Sequence, residues 1–373
     1  MADQDAPKPV NPDNMDLADL RDEIDRLDGE ILQLISRRAQ CALKVAEVKM
    51  KAAPDTAVFY RPEREAQVLT RVMERNIGPL GNEDMARLFR EIMSACLALE
   101  KPLEVAYLGP EGTFTQQAAV KHFGRWVHSK PMPAIDEVFR EVEAGACTYG
   151  VVPVENSTEG VVNHTLDSFI NSNLRICGEV ELRIHHNLMA GPNTQRDKIS
   201  RVYSHQQSLA QCRKWLDAHM PMAERIAVNS NAEAARRVHG EWNSAAIAGE
   251  MAAQLYDLDI IEHKIEDAPD NSTRFLIIGT QDVGVSGDDK TSVVVSMRNE
   301  PGALYHLLQP FSDHNVDMTR LETRPSPSGN WTYVFFIDFA GHVEDVNVRQ
   351  ALDEIRKKAV EVKVLGSYPK AVL

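Results

Sequence analysis

The stretch from Leu17 to Lys51 constrains the chain more than any other. It holds one glycine, Gly29, and no proline, and its apolar residues recur every three or four positions. Written as heptads, one column reads Leu17, Ile24, Ile31, Arg38, Val45 and the other Leu20, Leu27, Leu34, Cys41, Val48. A helix of this length spans about 50 Å, too long to bury its stripe against one small domain. It calls for other long helices, a second copy of itself among them. Two more helices follow. Pro62 stands where a first helical turn tolerates it, and the next stripe runs Met85, Leu88, Phe89, Ile92, Cys96, Leu99 before Pro102 stops it. Residues 16–101 therefore read as all-helical.

At Leu103 the period switches. Short apolar strands such as EVAYL, YGVVPV, RVYS, RIAVN, SAAIAG and TRFLIIG alternate with helical stretches, among them one from Thr115, one through Cys212 and Trp215 and one from Asn231. Such alternation predicts an α/β region with ligands held at strand ends. The polar run 281–290, rich in Gly and Asp, reads as a linker. After it come strand, helix, strand, the turn SPSGN, strand, helix and strand, a βαββαβ order that predicts a ferredoxin-like sandwich.

Composition excludes several classes. With 41 Lys and Arg against 55 Asp and Glu, the net charge of −14 argues against a nucleic-acid partner, which needs a basic face. It leaves room for small anionic ligands in a local cationic pocket. No apolar run reaches the roughly 18 residues of a membrane span. The first 15 residues are polar and carry Pro7, Pro9 and Pro12; they read as a disordered tail without the apolar core of a secretory signal, so a cytoplasmic location is expected. The five cysteines, Cys41, Cys96, Cys147, Cys177 and Cys212, are scattered and form no CxxC pair, and no metal site is expected.

Arg38 is out of place in an apolar column. Alone it reads as a register-setting polar residue or as an arginine snorkelling outward. Lys49 lies 11 residues on, close to three turns, and so projects from a similar face. Arg21 precedes them, Arg64 follows in RPERE, and Glu100 sits four residues past Cys96 on the third helix. Together they suggest a bundle interior able to take a small polyanion. In the α/β region, GPEGTF reads as a strand-to-helix turn whose N–H groups suit a carboxylate. VVPVENSTEG puts Glu155, Asn156, Ser157 and Thr158 just after an apolar strand, as ligand groups or as helix caps. Thr273 alone reads as a strand former, and His164, His185 and His186 lack metal spacing.

The runs LRDEIDRLD, LISRRAQCALKVAEVK and YRPEREAQVL resemble the all-helical domain of the bifunctional chorismate mutase/prephenate dehydratase family of proteobacteria. YLGPEGTFT, YGVVPVENSTEGVVNHTLD, VYSHQQS and DNSTRFLIIG resemble its dehydratase, and NEPGAL with LETRPS resembles the ACT regulatory domain. The resemblance implies three domains: a helical mutase domain over 12–101, a bilobal α/β dehydratase domain akin to periplasmic binding proteins over 103–280, and a ferredoxin-like ACT domain over 291–368. It implies conversion of chorismate to prephenate and of prephenate to phenylpyruvate, without a cofactor, under feedback inhibition by phenylalanine. By the same resemblance Arg21, Arg38, Lys49 and Arg64 are cationic contacts to chorismate, with Arg21 lent across a homodimer. Glu65 receives the substrate hydroxyl and Glu100 faces the ether oxygen. Thr273 is the catalytic proton donor of the dehydratase, in a pocket lined by Glu155, Asn156, Ser204 and Gln211. Gly302, Ala303, Leu304, Glu322 and Arg324 hold the effector.

The chain departs from the family pattern at four places. Arg61 stands where the best-known member has an aspartate, Cys96 replaces a serine, Glu100 a glutamine, and Gln206 follows YSH where proline is frequent. Glu100 matters most, because an ionised carboxylate cannot donate to an ether oxygen as its C–O bond breaks.

Overall fold

The computed structural model describes residues 15–53, 57–325 and 333–372. The polar tail up to residue 14 and the expected turn at 326–330 lie outside them. The described chain forms two compact units. One holds residues up to Phe59 together with Ala95–Lys101; the other holds Tyr60–Ser94 and everything from Pro102 on.

The first unit is dominated by α1 (Leu17–Ala52). Asp16 caps it by accepting the N–H groups of Ala18 and Asp19, and Lys49 and Lys51 lie in the last turn, where cations oppose the helix dipole. Its apolar stripe lies open: Leu17, Ile24, Leu27, Ile31 and Leu34 are all exposed, and Ala46 is its one buried residue. α2 (Pro62–Arg75) belongs to the second unit and starts on its proline as the sequence suggests; α3 (Asn82–Glu100) is divided between the units at Ser94 and runs on to the expected stop.

In the second unit the chain continues through β1 (Glu104–Leu108), α4 (Phe114–Phe123), β2 (His128–Met132), α5 (Ile135–Glu143), β3 (Tyr149–Asn156), β4 (Gly160–Val161), α6 (Asn163–Asn171) and β5 (Arg175–Arg183). It then crosses to a second lobe made of β6 (Asn187–Ala190), β7 (Arg201–His205), α7 (Gln206–Gln211), α8 (Arg213–His219), β8 (Glu224–Val228), α9 (Asn231–Val238), β9 (Ser244–Ala248), α10 (Glu250–Leu255) and β10 (Asp259–Glu262). β11 (Ser272–Gly279) returns to the first lobe and inserts between β3 and β5. The two sheets have the orders β2-β1-β3-β11-β5, with β4 on β3, and β10-β6-β9-β7-β8. This is the bilobal α/β fold with two crossings between lobes. The helix expected through Cys212 breaks there into α7 and α8. β2, mostly exposed in HSKPM, has no apolar run to announce it, whereas α5, missed in the sequence, carries Ile135, Val138, Phe139 and Val142 at helical spacing.

The C-terminal part comprises β12 (Asp289–Met297), α11 (Ala303–Asp313), β13 (Met318–Pro325), β14 (Tyr333–Ala340), α12 (Val346–Lys358) and β15 (Glu361–Pro369), in the antiparallel order β13-β14-β12-β15. That is the ferredoxin-like βαββαβ sandwich. Strand alternation splits its residues between two cores. Val293, Val295 and Ile337 face α11 and α12, while Val294, Phe336 and Leu365 join the core of the first lobe with Val152, Phe169 and Leu276. Gly366 permits this close approach, since a Cβ there would collide with the Ile176 carbonyl oxygen. The run 281–290 is more than a linker: Asp289 is buried at the start of β12, and its carboxylate accepts the N–H groups of Ser286 and Gly287.

Candidate active site

A cleft of about 610 Å³ opens between the two α/β lobes. Its walls include the first residues of α4, α6 and α9, so the backbone N–H groups of three helix N-termini border it, and among the described residues no Lys or Arg lines it. Helix N-termini favour anions, and here they supply positive potential without side-chain cations. GPEGTF makes the strand-to-helix turn expected of it: Thr113 caps α4, and the Gly112 N–H donates to Gln116 Oε1 at 2.6 Å.

Thr273 and Asn156 sit directly opposite each other on β11 and β3 and face this cleft. The direction of every hydrogen bond around them follows from the backbone. Asn156 Oδ1 accepts the N–H groups of Thr158 and Glu159 at 2.9 and 3.0 Å. Its Nδ2 is therefore the donor, its two hydrogens shared among Thr273 Oγ1 at 2.8 Å, Asn271 Oδ1 at 2.9 Å and the Ser272 carbonyl at 3.2 Å. Thr273 Oγ1 accepts from Asn156, and among the described residues nothing takes its own proton, which is left for a ligand. Asn271 Nδ2 in turn donates to Gln211 Oε1 at 3.1 Å. Asn271 was not singled out in the sequence, although it stands within the DNSTRF run.

The next rung of the same ladder, Arg274 opposite Glu155, points to the other face. Glu155 lies outside the cleft wall and pairs with Arg320 of β13 at 3.1 Å. Arg274 bonds Glu179 at 2.8 Å, Asp338 at 2.6 Å and the Tyr368 hydroxyl at 3.0 Å. Burial pushes the Asp338 carboxyl up, but Arg274 and the Ser292 hydroxyl outweigh it and hold the group below its usual range. Lys290 completes the cluster on Glu179 at 2.8 Å. Two adjacent rungs thus divide their work, one toward the cleft and one toward the C-terminal sheet. Ser204 also lies behind the wall: fully buried, its hydroxyl is 2.7 Å from the Ile247 carbonyl and 2.9 Å from Asn231 Oδ1.

In the helical unit, Arg38 and Lys49 are half-buried on α1, and Lys49 Nζ donates to the Phe59 carbonyl at 3.2 Å. Glu100 shares their surroundings. Burial raises its pKa, Lys49 and Arg38 work against that rise, and Oε2 is buried without a hydrogen-bond partner among the described residues. Arg21 is exposed, 17 residues and so about 25 Å up the helix from Arg38. In the second unit, Arg64 is exposed on α2. Glu65 bonds Arg90 at 3.1 Å, and Arg90 also donates to the Lys121 carbonyl at 3.0 Å. Burial raises the Glu65 pKa, with Arg90 opposing. Arg61 bonds Glu63 at 2.7 Å, and Cys96 is buried.

On the C-terminal sandwich, Gly302 takes a left-handed conformation at φ 83° and leads into α11, where Ala303 is half-buried and Leu304 exposed. Glu322 lies 3.9 Å from Arg320. Arg324 forks onto Asp167 of α6 at 2.7–3.1 Å, tying β13 to the first lobe. Within the described residues no helix is long and apolar enough to cross a membrane.

Against known families, residues 20–101 match chorismate mutase type II, residues 105–283 prephenate dehydratase and residues 291–357 the ACT domain. The bifunctional chorismate mutase/prephenate dehydratase of Stutzerimonas stutzeri is 68% identical over 356 residues, covering 95% of this chain and 98% of that protein. The protein of the same description from Pseudomonas aeruginosa is 66% identical, covering 97% and 100%. Among solved structures, the prephenate dehydratase of Arthrobacter aurescens in complex with L-Phe aligns with a TM-score of 0.68 at 33% identity, covering 72% of this chain and 90% of that one.

Proposed function

This chain belongs to the bifunctional chorismate mutase/prephenate dehydratase family, and from that premise we propose that it performs both reactions, with the mutase in residues 12–101, the dehydratase in 103–280 and phenylalanine control in an ACT domain over 291–368. The observation that carries the reading is the Thr273–Asn156 pair: a hydroxyl whose lone pair is occupied by an amide N–H and whose proton is free, in a cleft bordered by helix N-termini. Prephenate is a dianion, and those termini suit its carboxylates. The C–CO2 bond breaks and its electrons aromatise the ring. The C–OH bond breaks with them, and the Thr273 proton passes to the departing hydroxide. CO2 and water leave; the Asn156 N–H holds the Thr273 oxygen until solvent returns its proton. A neutral hydroxyl serves here because it needs no prior ionisation.

Arg38, Lys49 and Glu100 are the mutase groups. The rearrangement is intramolecular, so holding the reactive conformer and stabilising the charge that grows on the ether oxygen are what the protein supplies. Arg21 and Arg64 bind the carboxylates, with Arg21 contributed by a second copy. The exposed stripe of α1 supports a homodimer, because a surface of this length and polarity is covered by a long helix of the same kind. Gln211 lines the dehydratase pocket, and Ser204 and Glu155 act from behind it. Gly302, Ala303, Leu304, Glu322 and Arg324 form the phenylalanine site, and the enzyme works in the cytoplasm.

The two activities are expected to separate. Arg38→Ala should lower mutase turnover about 10²–10³-fold, the cost of one lost counter-charge to a developing anion, and spare turnover of supplied prephenate. Thr273→Ala should do the reverse. Loss of both activities in either folded variant would overturn the assignment.

A further inference from the structure

His186 is buried, 1% exposed, at the crossing between the lobes, with its Nδ1 unpartnered among the described residues. Its Nε2 lies 2.8 Å from Gln211 Oε1. The tautomer of the ring follows from the chain of donors that begins at the backbone. The Thr158 and Glu159 N–H groups make Asn156 Oδ1 an acceptor, Asn156 Nδ2 makes Asn271 Oδ1 an acceptor, and Asn271 Nδ2 makes Gln211 Oε1 an acceptor. The imidazole nitrogen facing that oxygen must therefore carry the proton. We propose that His186, as the neutral Nε2–H tautomer, is a positioning residue of the dehydratase: with Asn271 it fixes the Gln211 amide so that its NH2 group faces Glu159 and the cleft, at 3.3 Å from Glu159 Oε1. This rests on the dehydratase reading of the cleft.

The surroundings keep the ring neutral. Burial holds His186 below the ordinary imidazole pKa; the Gln211 hydrogen bond and the charge of Glu266 work the other way, and His185 adds to the lowering. Glu266 is engaged elsewhere, accepting the His186 backbone N–H at 2.9 Å and meeting His185 Nδ1 at 2.8 Å. Phe114 packs edge-on to the ring at 5.7 Å and offers a new Nδ1–H no acceptor.

The test compares His186→Gln with His186→Asn in the full-length protein. A glutamine amide reaches the position of the imidazole Nε2; an asparagine amide reaches only that of Nδ1. His186→Asn should lose about tenfold or more in dehydratase kcat/KM, the effect of an unmade buried hydrogen bond, and His186→Gln should recover most of that loss. Mutase turnover should not change in either variant, which also reports folding. Nitrogen NMR of histidine-labelled wild-type protein should show His186 protonated at Nε2 alone at neutral pH, taking up its second proton at lower pH than an ordinary imidazole. Equal losses in both variants, or an Nδ1–H tautomer, would overturn the proposal. A wild-type protein inert toward prephenate would sink the reading of the cleft instead, and the tautomer measurement would still decide whether His186 donates to Gln211.

Discussion

Replacing Glu100 with glutamine should speed the mutase at neutral pH. The ether oxygen of chorismate gains negative charge as its C–O bond breaks, so the residue beside it helps only by donating a proton. In the proposed mutase site that residue is Glu100, which donates when neutral and repels when ionised. Burial raises its pKa, and Lys49 and Arg38 restrain that rise without cancelling it. A bound dianion raises it further. The donor form of the wild-type enzyme therefore persists to higher pH than for an ordinary carboxyl of about 4.3. Above the pKa in the complex, wild-type turnover should fall tenfold per pH unit. The fall ends at a floor about 10²–10³-fold below the acid plateau, the usual loss for one missing donor to a developing oxyanion. Glu100→Gln keeps a donor at every pH and should give a flat profile. The assay is chorismate consumption from pH 5 to 9 at constant ionic strength, with prephenate turnover as the control for folding. Stability follows the same sign. The folded protein holds the Glu100 proton more tightly than the unfolded chain, so ionising the group costs stability as pH rises past its folded pKa. The variant should then melt higher than wild type at pH 8, with the gap closing toward pH 4. Superimposable turnover profiles would refute the reasoning.

Two further outcomes follow from the second unit. Arg320 and Glu155 join the C-terminal sheet to the rung beside Thr273, and with Glu155 39% exposed their pair is worth about 1 kcal/mol. Arg320→Gln should therefore raise the phenylalanine concentration for half-inhibition of the dehydratase about fivefold; an unchanged inhibition curve would mean the effector acts by another route. His122, bonded to the Tyr60 hydroxyl at 3.0 Å, is pushed down to about 3, chiefly by burial and then by Arg90. Its pKa is depressed, so the unfolded chain takes up a proton below about 6.5 that the folded protein refuses, and stability falls as pH drops through that window. The melting temperature of wild type should decline more steeply from pH 7 to pH 5 than that of His122→Phe, and parallel declines would contradict the assignment.

Local order was legible in the sequence because its causes are local. The period of α1, the proline that starts α2, the switch to short strands at Leu103 and the βαββαβ order of the last part all follow from how side chains fall along a helix or strand. Asn156 and Thr273 could be named because each lies in a short run that resembles the family, and Gln211 because it follows such a run by three residues. Their arrangement could not. Asn156 and Thr273 are 117 residues apart and meet only because β11 crosses back from the second lobe to pair with β3. Glu155 and Asn156 are chain neighbours of similar character, yet strand alternation turns one to the cleft and the other to Arg320. Which faces which depends on what covers each side of the sheet. The polar run before β12 looked like a tether because composition does not record that Asp289 would bind its own turn and be buried. Residue pattern along the chain settles the elements, their order and the chemical groups available. Which groups lose water, which proton each one holds and which charge it meets depend on burial and long-range pairing, and these exist only once the chain has folded.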